Sequence, residues 1–146
     1  MPKESSLRDQ IRIIFTQELG GAVTNHEDKF TKGISDTNFA FHSAGHFFRG
    51  WIELKHIKTW PKLWTTEIRL GIRAEQRIWI RERWKHAHDV FVICRIDADI
   101  YMFSGRDIDE IYRPISRARF EALWLGKWQY KISIQEFYDI LCEQLP

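Results

Sequence analysis

Apolar positions along the chain switch between two periods. In SSLRDQIRIIFTQELGG, residues 5–21, Leu7, Ile11, Ile14 and Phe15 recur at helical spacing. Ser5 or Ser6 stands where a helix needs a cap, and Gly20–Gly21 stops it. One more turn of that stripe reaches Glu18, four residues after Ile14 and three after Phe15. A carboxylate on the buried side of a helix needs a partner; a solvated helix end is the alternative. AVTNHEDKFTKGIS is polar and reads as loop, after which the period changes to two. In DTNFAFHSAGHFFRGWIELKHI, residues 36–57, Thr37, Phe39 and Phe41 alternate with polar or small residues and HSAG supplies a turn, so a β-hairpin is predicted.

The second hairpin strand turns Trp51, Glu53 and Lys55 to one face and Ile52 and Leu54 to the other. The Ile/Leu face is core. The opposite face carries a carboxylate and an ammonium beside a large ring, which is either a solvated ion pair or a prepared site. Asp36 opens the first strand and Glu53 lies near the end of the second, so antiparallel pairing makes them neighbours.

KTWPKLWTT is a connector broken by Pro61. From about Thr66 to His88 a long helix is predicted, with Ile68, Ile72, Trp79 and Ile80 on one face and Gln76 inside that stripe. Arg73, Arg77 and Arg81, four apart, form a basic ridge beside it. DVFVICRI is a buried strand by its β-branched run, ADIYMFS is a further strand, and residues 105–129 mix short helices around Pro114. SIQEFYDILCEQL closes the chain as a helix capped by Ser133, with Glu136 three residues on. Helix, hairpin, helix, strand, strand, helices implies an α/β domain with one central mixed sheet and helices on its faces.

Length agrees with this: 146 residues fit one domain with one real core. That domain divides into a core of about residues 7–103 and a C-terminal helical part of about 104–146. Apolar content of 44% with 29% charge excludes disorder. No apolar run is long enough for a membrane span, and MPKESSLRDQ lacks the apolar region of a secretory signal, so a cytoplasmic protein is expected. Cys94 and Cys142 are far apart without a C-x-x-C partner, which excludes a disulfide framework or a zinc finger. The net charge of +2 announces no nucleic-acid binder, yet it can hide a segregated field.

Three carboxylates, Glu18, Asp36 and Glu53, come from three elements, and Leu54 offers a backbone carbonyl between Glu53 and Lys55. Oxygen donors of this kind suit a hard cation such as Mg²⁺. KGISD before the first strand, GWIELK on the second and AEQRIWIRE on the following helix resemble the PD-(D/E)xK nuclease superfamily, closest to its VRR-NUC and Holliday-junction-resolvase-like branches. The resemblance covers roughly residues 7–103. The proline of the superfamily's name is absent, with Ser35–Asp36 in its place. The resemblance implies a restriction-endonuclease-like core and Mg²⁺-dependent hydrolysis of DNA phosphodiesters, with Mn²⁺ able to substitute. It implies Asp36, Glu53, the Leu54 carbonyl and Glu18 as metal ligands, Lys55 as the catalytic lysine, and Gln76 as the glutamine of the downstream helix. Lys58, Lys62, Arg73, Arg77 and Arg81 would hold the phosphate backbone.

The resolvase-like spacing makes branched DNA the expected substrate, and paired cuts across a junction imply a two-fold dimer. Trp124, Trp128, Tyr130 and Phe137 serve either that interface or the core. A small nuclease of this kind fits a phage or bacterial origin. The rival expectation is a binding module on the same scaffold that does not cleave, gripping nucleic acid through the arginine ridge and stacking bases on tryptophan.

Overall fold

The computed structural model describes residues 6–25 and 37–146. Asp36, Ser5 and most of the polar stretch before the hairpin lie outside the described residues. Among those described, six strands form one mixed sheet in sequence order: β1 (Ala22–Asn25), β2 (Thr37–Ser43), β3 (His46–Ile57), β4 (Val90–Ile96), β5 (Asp99–Ser104) and β6 (Gly126–Gln129). Neighbours are antiparallel except β3 and β4, which run parallel and are joined through α2 (Ala74–Ala87). A parallel pair requires such a crossover. The fold is α/β with a central mixed sheet flanked by helices, as the element order implies.

The sheet separates two apolar layers. On one face α1 (Leu7–Ile13) and α5 (Ile134–Gln144) bring Leu7, Ile11, Ile14, Phe15, Phe137 and Leu141 against Phe39, Phe41, Ile52, Ile93 and Met102. On the other, α2, α3 (Ile108–Tyr112) and α4 (Arg117–Leu123) set Ile80, Ile108, Ile111 and Phe120 against Val90, Val92, Cys94, Tyr101 and Phe103. Every residue of β4 is buried because both its faces are covered; hence its unbroken apolar run. No helix among the described residues is long and apolar enough to cross a membrane.

Ser6 caps α1 by accepting from the Asp9 N–H, and Ser133 caps α5 by accepting from the Glu136 N–H. The β2–β3 turn closes at Ala44 and Gly45, both at positive φ (50° and 82°), the backbone twist that matches the flanking strands.

Two expectations need correction, and one open reading is decided. The long helix does not begin near Thr66. Ile68, Leu70 and Ile72 are buried while Arg69 and Gly71 are exposed. That alternation is extended-chain spacing, and Ile68 pairs with Ile115 as an isolated bridge. Gly71, at φ +74°, turns the chain before α2 starts at Ala74. AVTN, expected as loop, is the edge strand β1, paired with Thr37–Ala40 of β2; only Val23 adds apolar burial there, so period two had little to register. Lastly, the first helix ends in a π turn over Ile14–Glu18, with the Leu19 N–H bonded to the Ile14 carbonyl at 2.9 Å. The wider turn shifts the phase of the stripe, and Glu18 faces solvent.

The two thiols differ sharply. Cys94 is fully buried on β4, and burial pushes its thiol well above the ordinary range, while Cys142 is exposed on α5. A thiol-specific chromogenic reagent at pH 8 is expected to titrate one cysteine in the native protein and two after denaturation. Two rapid reactions in the native state would contradict the buried position of β4.

Candidate active site

Side-chain alternation on β3 sends Ile52 and Leu54 into the layer under α1 and turns Glu53 and Lys55 towards α2. There the N-terminal turn of α2 meets them. Gln76 donates through Nε2 to Glu53 Oε1 at 2.5 Å and accepts through Oε1 from Lys55 Nζ at 3.0 Å. The same Oε1 accepts from the Arg73 backbone N–H at 3.0 Å, so Gln76 also caps its own helix. Lys55 Nζ lies 3.3 Å from Glu53 Oε1. Carboxylate, ammonium and amide thus form a closed triangle. Only one amide orientation satisfies it, because a flipped Gln76 would set its NH₂ against an ammonium and a backbone donor.

Burial makes this arrangement stiff. Glu53 is 0% exposed and Gln76 4%, while the Lys55 side chain keeps 17% of its surface open. A carboxylate in that position is costly unless paired and hydrogen-bonded, and Lys55 and Gln76 supply both. Lys55 is the member that reaches water, so the triangle opens towards solvent through the ammonium.

α2 is fastened at its other end as well. Arg83 holds the buried Asp89 carboxylate through Nε and Nη2 at 2.8 and 2.7 Å, and the Asp89 carbonyl accepts from the Trp51 N–H at 2.8 Å. Trp51 and Trp79 meet edge to face at 5.1 Å between the two anchor points. Helix and strand are thereby registered along the whole stretch that presents Glu53 and Lys55.

The remaining expected site residues are distributed as follows. Among the described residues the β2–β3 pairing runs as far as Thr37–Ile52; Asp36, the residue before Thr37, is outside the described residues. Leu54 pairs opposite Ile93, with its side chain against the layer under α1 and α5. Glu18 is corrected. It is exposed at the end of a helix packed on the opposite face of the sheet from Glu53, and no hydrogen bond or ion pair joins the two among the described residues.

Lys58, Lys62 and Arg73 are exposed on the connector and at the entry to α2. The arginine ridge is only partly open. Arg77 Nε donates to Asp109 Oδ1 at 2.7 Å, with its guanidinium 4.8 Å from the Tyr112 ring centre, and Arg81 Nη1 lies 3.7 Å from the same oxygen. The Asp109 hydrogen bond also raises the Arg77 pKa above its ordinary value. Asp109 lies 32 residues from Arg77, so no local pattern could have revealed this pairing. Of the aromatic residues expected at either an interface or the core, Trp128 and Phe137 are core, whereas Trp124 and Tyr130 are exposed.

Among the described residues no group of three or more His, Cys, Asp or Glu gathers as a metal cluster. The donors present are one carboxylate, Glu53, and strand carbonyls, all of them hard oxygens. This set fits Mg²⁺, which binds through one or two carboxylates and completes its shell with water and substrate phosphate; it does not fit a tetrahedral thiolate or imidazole site. The chain matches no family model, and no curated protein is significantly similar to it in sequence.

Proposed function

We propose that the protein is a Mg²⁺-dependent endonuclease that hydrolyses DNA phosphodiesters, with branched DNA as the favoured substrate. The observation that carries this reading is the Glu53–Lys55–Gln76 triangle: a buried carboxylate and an ammonium two residues apart on one strand, locked by a helix amide. Glu53 and the Leu54 carbonyl would hold the cation, together with Asp36. When bound, Mg²⁺ polarises the phosphate and lowers the pKa of a coordinated water.

The protein's own groups have separate tasks. Lys55, the solvent-facing member, presents a donor to the attacking water or to a non-bridging phosphate oxygen, and its charge offsets the negative charge that grows in the transition state. Gln76 keeps that ammonium from swinging away and presents Glu53 in one orientation. Lys58, Lys62 and Arg73 contact phosphates, which gives salt-dependent binding without base information. Substrate shape, not a long recognition sequence, then governs selection.

The test is a panel of end-labelled linear, nicked, flapped and four-way DNA substrates. Cleavage is expected with Mg²⁺ or Mn²⁺, none in EDTA, and branched substrates are expected to be cut at least about tenfold faster than plain duplex. Equal cutting of duplex and junction removes the shape preference. Absence of cutting with every divalent ion on every substrate overturns the nuclease reading in favour of a binding module.

A further inference from the structure

Two cation–π contacts on the α2 face of the sheet take no part in the chemistry above. The Arg117 guanidinium carbon lies 3.8 Å from the centre of the Trp60 ring and 3.7 Å from that of Trp64. Both are well inside the reach of a cation–π attraction. The buried Arg117 Nε–H makes no hydrogen bond among the described residues, so the guanidinium is held at Nε by ring faces alone. Trp60 is anchored from behind: its indole N–H donates to Asp99 Oδ2 at 2.8 Å, and its ring meets Tyr101 and Phe120 edge on. Among the described residues Trp64 has no ring or hydrogen-bond backing besides Arg117, and it is 69% exposed. One face of its indole rests on the cation and the other meets solvent.

The surroundings select a partner. The connector and helix entry, residues 58–73, carry Lys58, Lys62, Arg69 and Arg73, all exposed, against one acid, Glu67. An open indole face on a segment rich in exposed cations fits a base with its phosphates better than an apolar protein surface. The location fits too. Lys55 pairs with Cys94, and Cys94 with Tyr101, so Tyr101 stands two strands across from Lys55, about 10 Å at ordinary strand spacing. Trp60 packs on Tyr101, and the platform therefore lies within reach of a strand whose phosphate sits at Lys55.

We propose that Trp64, backed by Arg117 and Trp60, is a stacking platform for an unpaired nucleobase, so that the site takes nucleic acid with single-stranded or splayed bases beside the cut. The inference rests on the nuclease reading for its substrate, and it names the feature of that substrate the protein grips. The sandwich fixes the indole before binding, so little side-chain freedom is lost when a base arrives. Base–aromatic stacking tolerates any sequence because every base has a π face.

The test uses the full chain in EDTA, with labelled oligothymidine and a blunt duplex of equal length, read by fluorescence anisotropy. Trp64→Ala is expected to weaken single-strand binding about 5- to 150-fold and duplex binding less than about twofold, with Trp64→Phe restoring most of the loss. Unchanged single-strand affinity in Trp64→Ala, or an equal loss on duplex, overturns the platform. So does a dimer that becomes monomer in Trp64→Ala with strand binding intact, which would assign the ring to self-association. Since no metal is present, the outcome is separable from cleavage. Trp64-dependent binding without cutting of any substrate keeps the platform and removes the nuclease, while Mg²⁺-dependent cutting with Trp64-indifferent binding does the reverse.

Discussion

Glu53→Gln is expected to reduce DNA cleavage by at least about a thousandfold, a barrier increase of roughly 4 kcal/mol, while leaving DNA affinity in EDTA within about twofold. The substitution keeps the shape of the side chain. Its amide oxygen can still accept from Gln76 Nε2, which now lies 2.5 Å from Glu53 Oε1. What disappears is the negative charge that would hold the cation. Lys55, with 17% of its side chain open, can satisfy its ammonium from water and keep its bond to the Gln76 oxygen. Folding should therefore survive, and a circular-dichroism melt run beside the cleavage assay separates lost chemistry from lost structure. Gln76→Leu should cost less, about 10- to 100-fold, because it removes orientation and leaves the carboxylate in place. Undiminished cleavage by Glu53→Gln would remove the triangle from the chemistry altogether.

Phe15→Ala is expected to be the most damaging of the simple truncations, costing about 3–5 kcal/mol of stability and lowering the melting temperature by roughly 10 °C or more. Phe15 is fully buried. Its ring stacks on Phe39 at 4.3 Å with a 9° interplanar angle, meets Phe137 edge on at 5.5 Å and lies 5.8 Å from Phe41. One side chain thus links the end of α1, strand β2 and helix α5, elements far apart in sequence. Truncation leaves a cavity that three separate elements would each have to move to fill. Urea melts of Phe15→Ala beside Trp64→Ala give the comparison, since the exposed Trp64 should change stability little. Similar midpoints for the two variants would contradict the layer under α1 and α5.

Much of this was legible in the chain, for specific reasons. Residues on β3 alternate faces whatever surrounds them, so Glu53 and Lys55 had to share a side. The Ser133 cap, the turn at Ala44–Gly45 and the apolar run of β4 are local signals of known geometry. Gln76 was readable as an inward helix residue, but its function as a cap on its own helix was not, because the helix was expected to start about two turns earlier. Ile68 and Ile72 are four apart, a spacing that helical and extended chain both satisfy; Leu70, buried between them, decides for extended chain. Glu18 stayed open between a buried and a solvated position because the stripe looks regular, and a π turn that changes its phase decides for solvent. β1 and β6 (Gly126–Gln129) are short edge strands with few apolar positions to report them. The joint hold of Asp109 on Arg77 and Arg81, and of Arg117 on two tryptophans, depends on which elements become neighbours, and no spacing along the chain encodes that.

Strand β3 acquires its two partners by routes of very different length. β2 arrives through the Ala44–Gly45 turn, whereas β4 returns only after residues 58–89. A hairpin closes on the microsecond scale, and the longer excursion must overcome a larger closure entropy before its contacts reward it. Glu53 and Lys55 therefore come side by side early in folding, and Gln76 is inserted between them late. Synthesis from the N-terminus imposes the same order, so a chain interrupted before Gln76 carries the carboxylate and the ammonium but not the amide that aligns them. In the nuclease we propose, the site would be completed only once α2 docks on β3, and products terminated before Gln76 would be born inert.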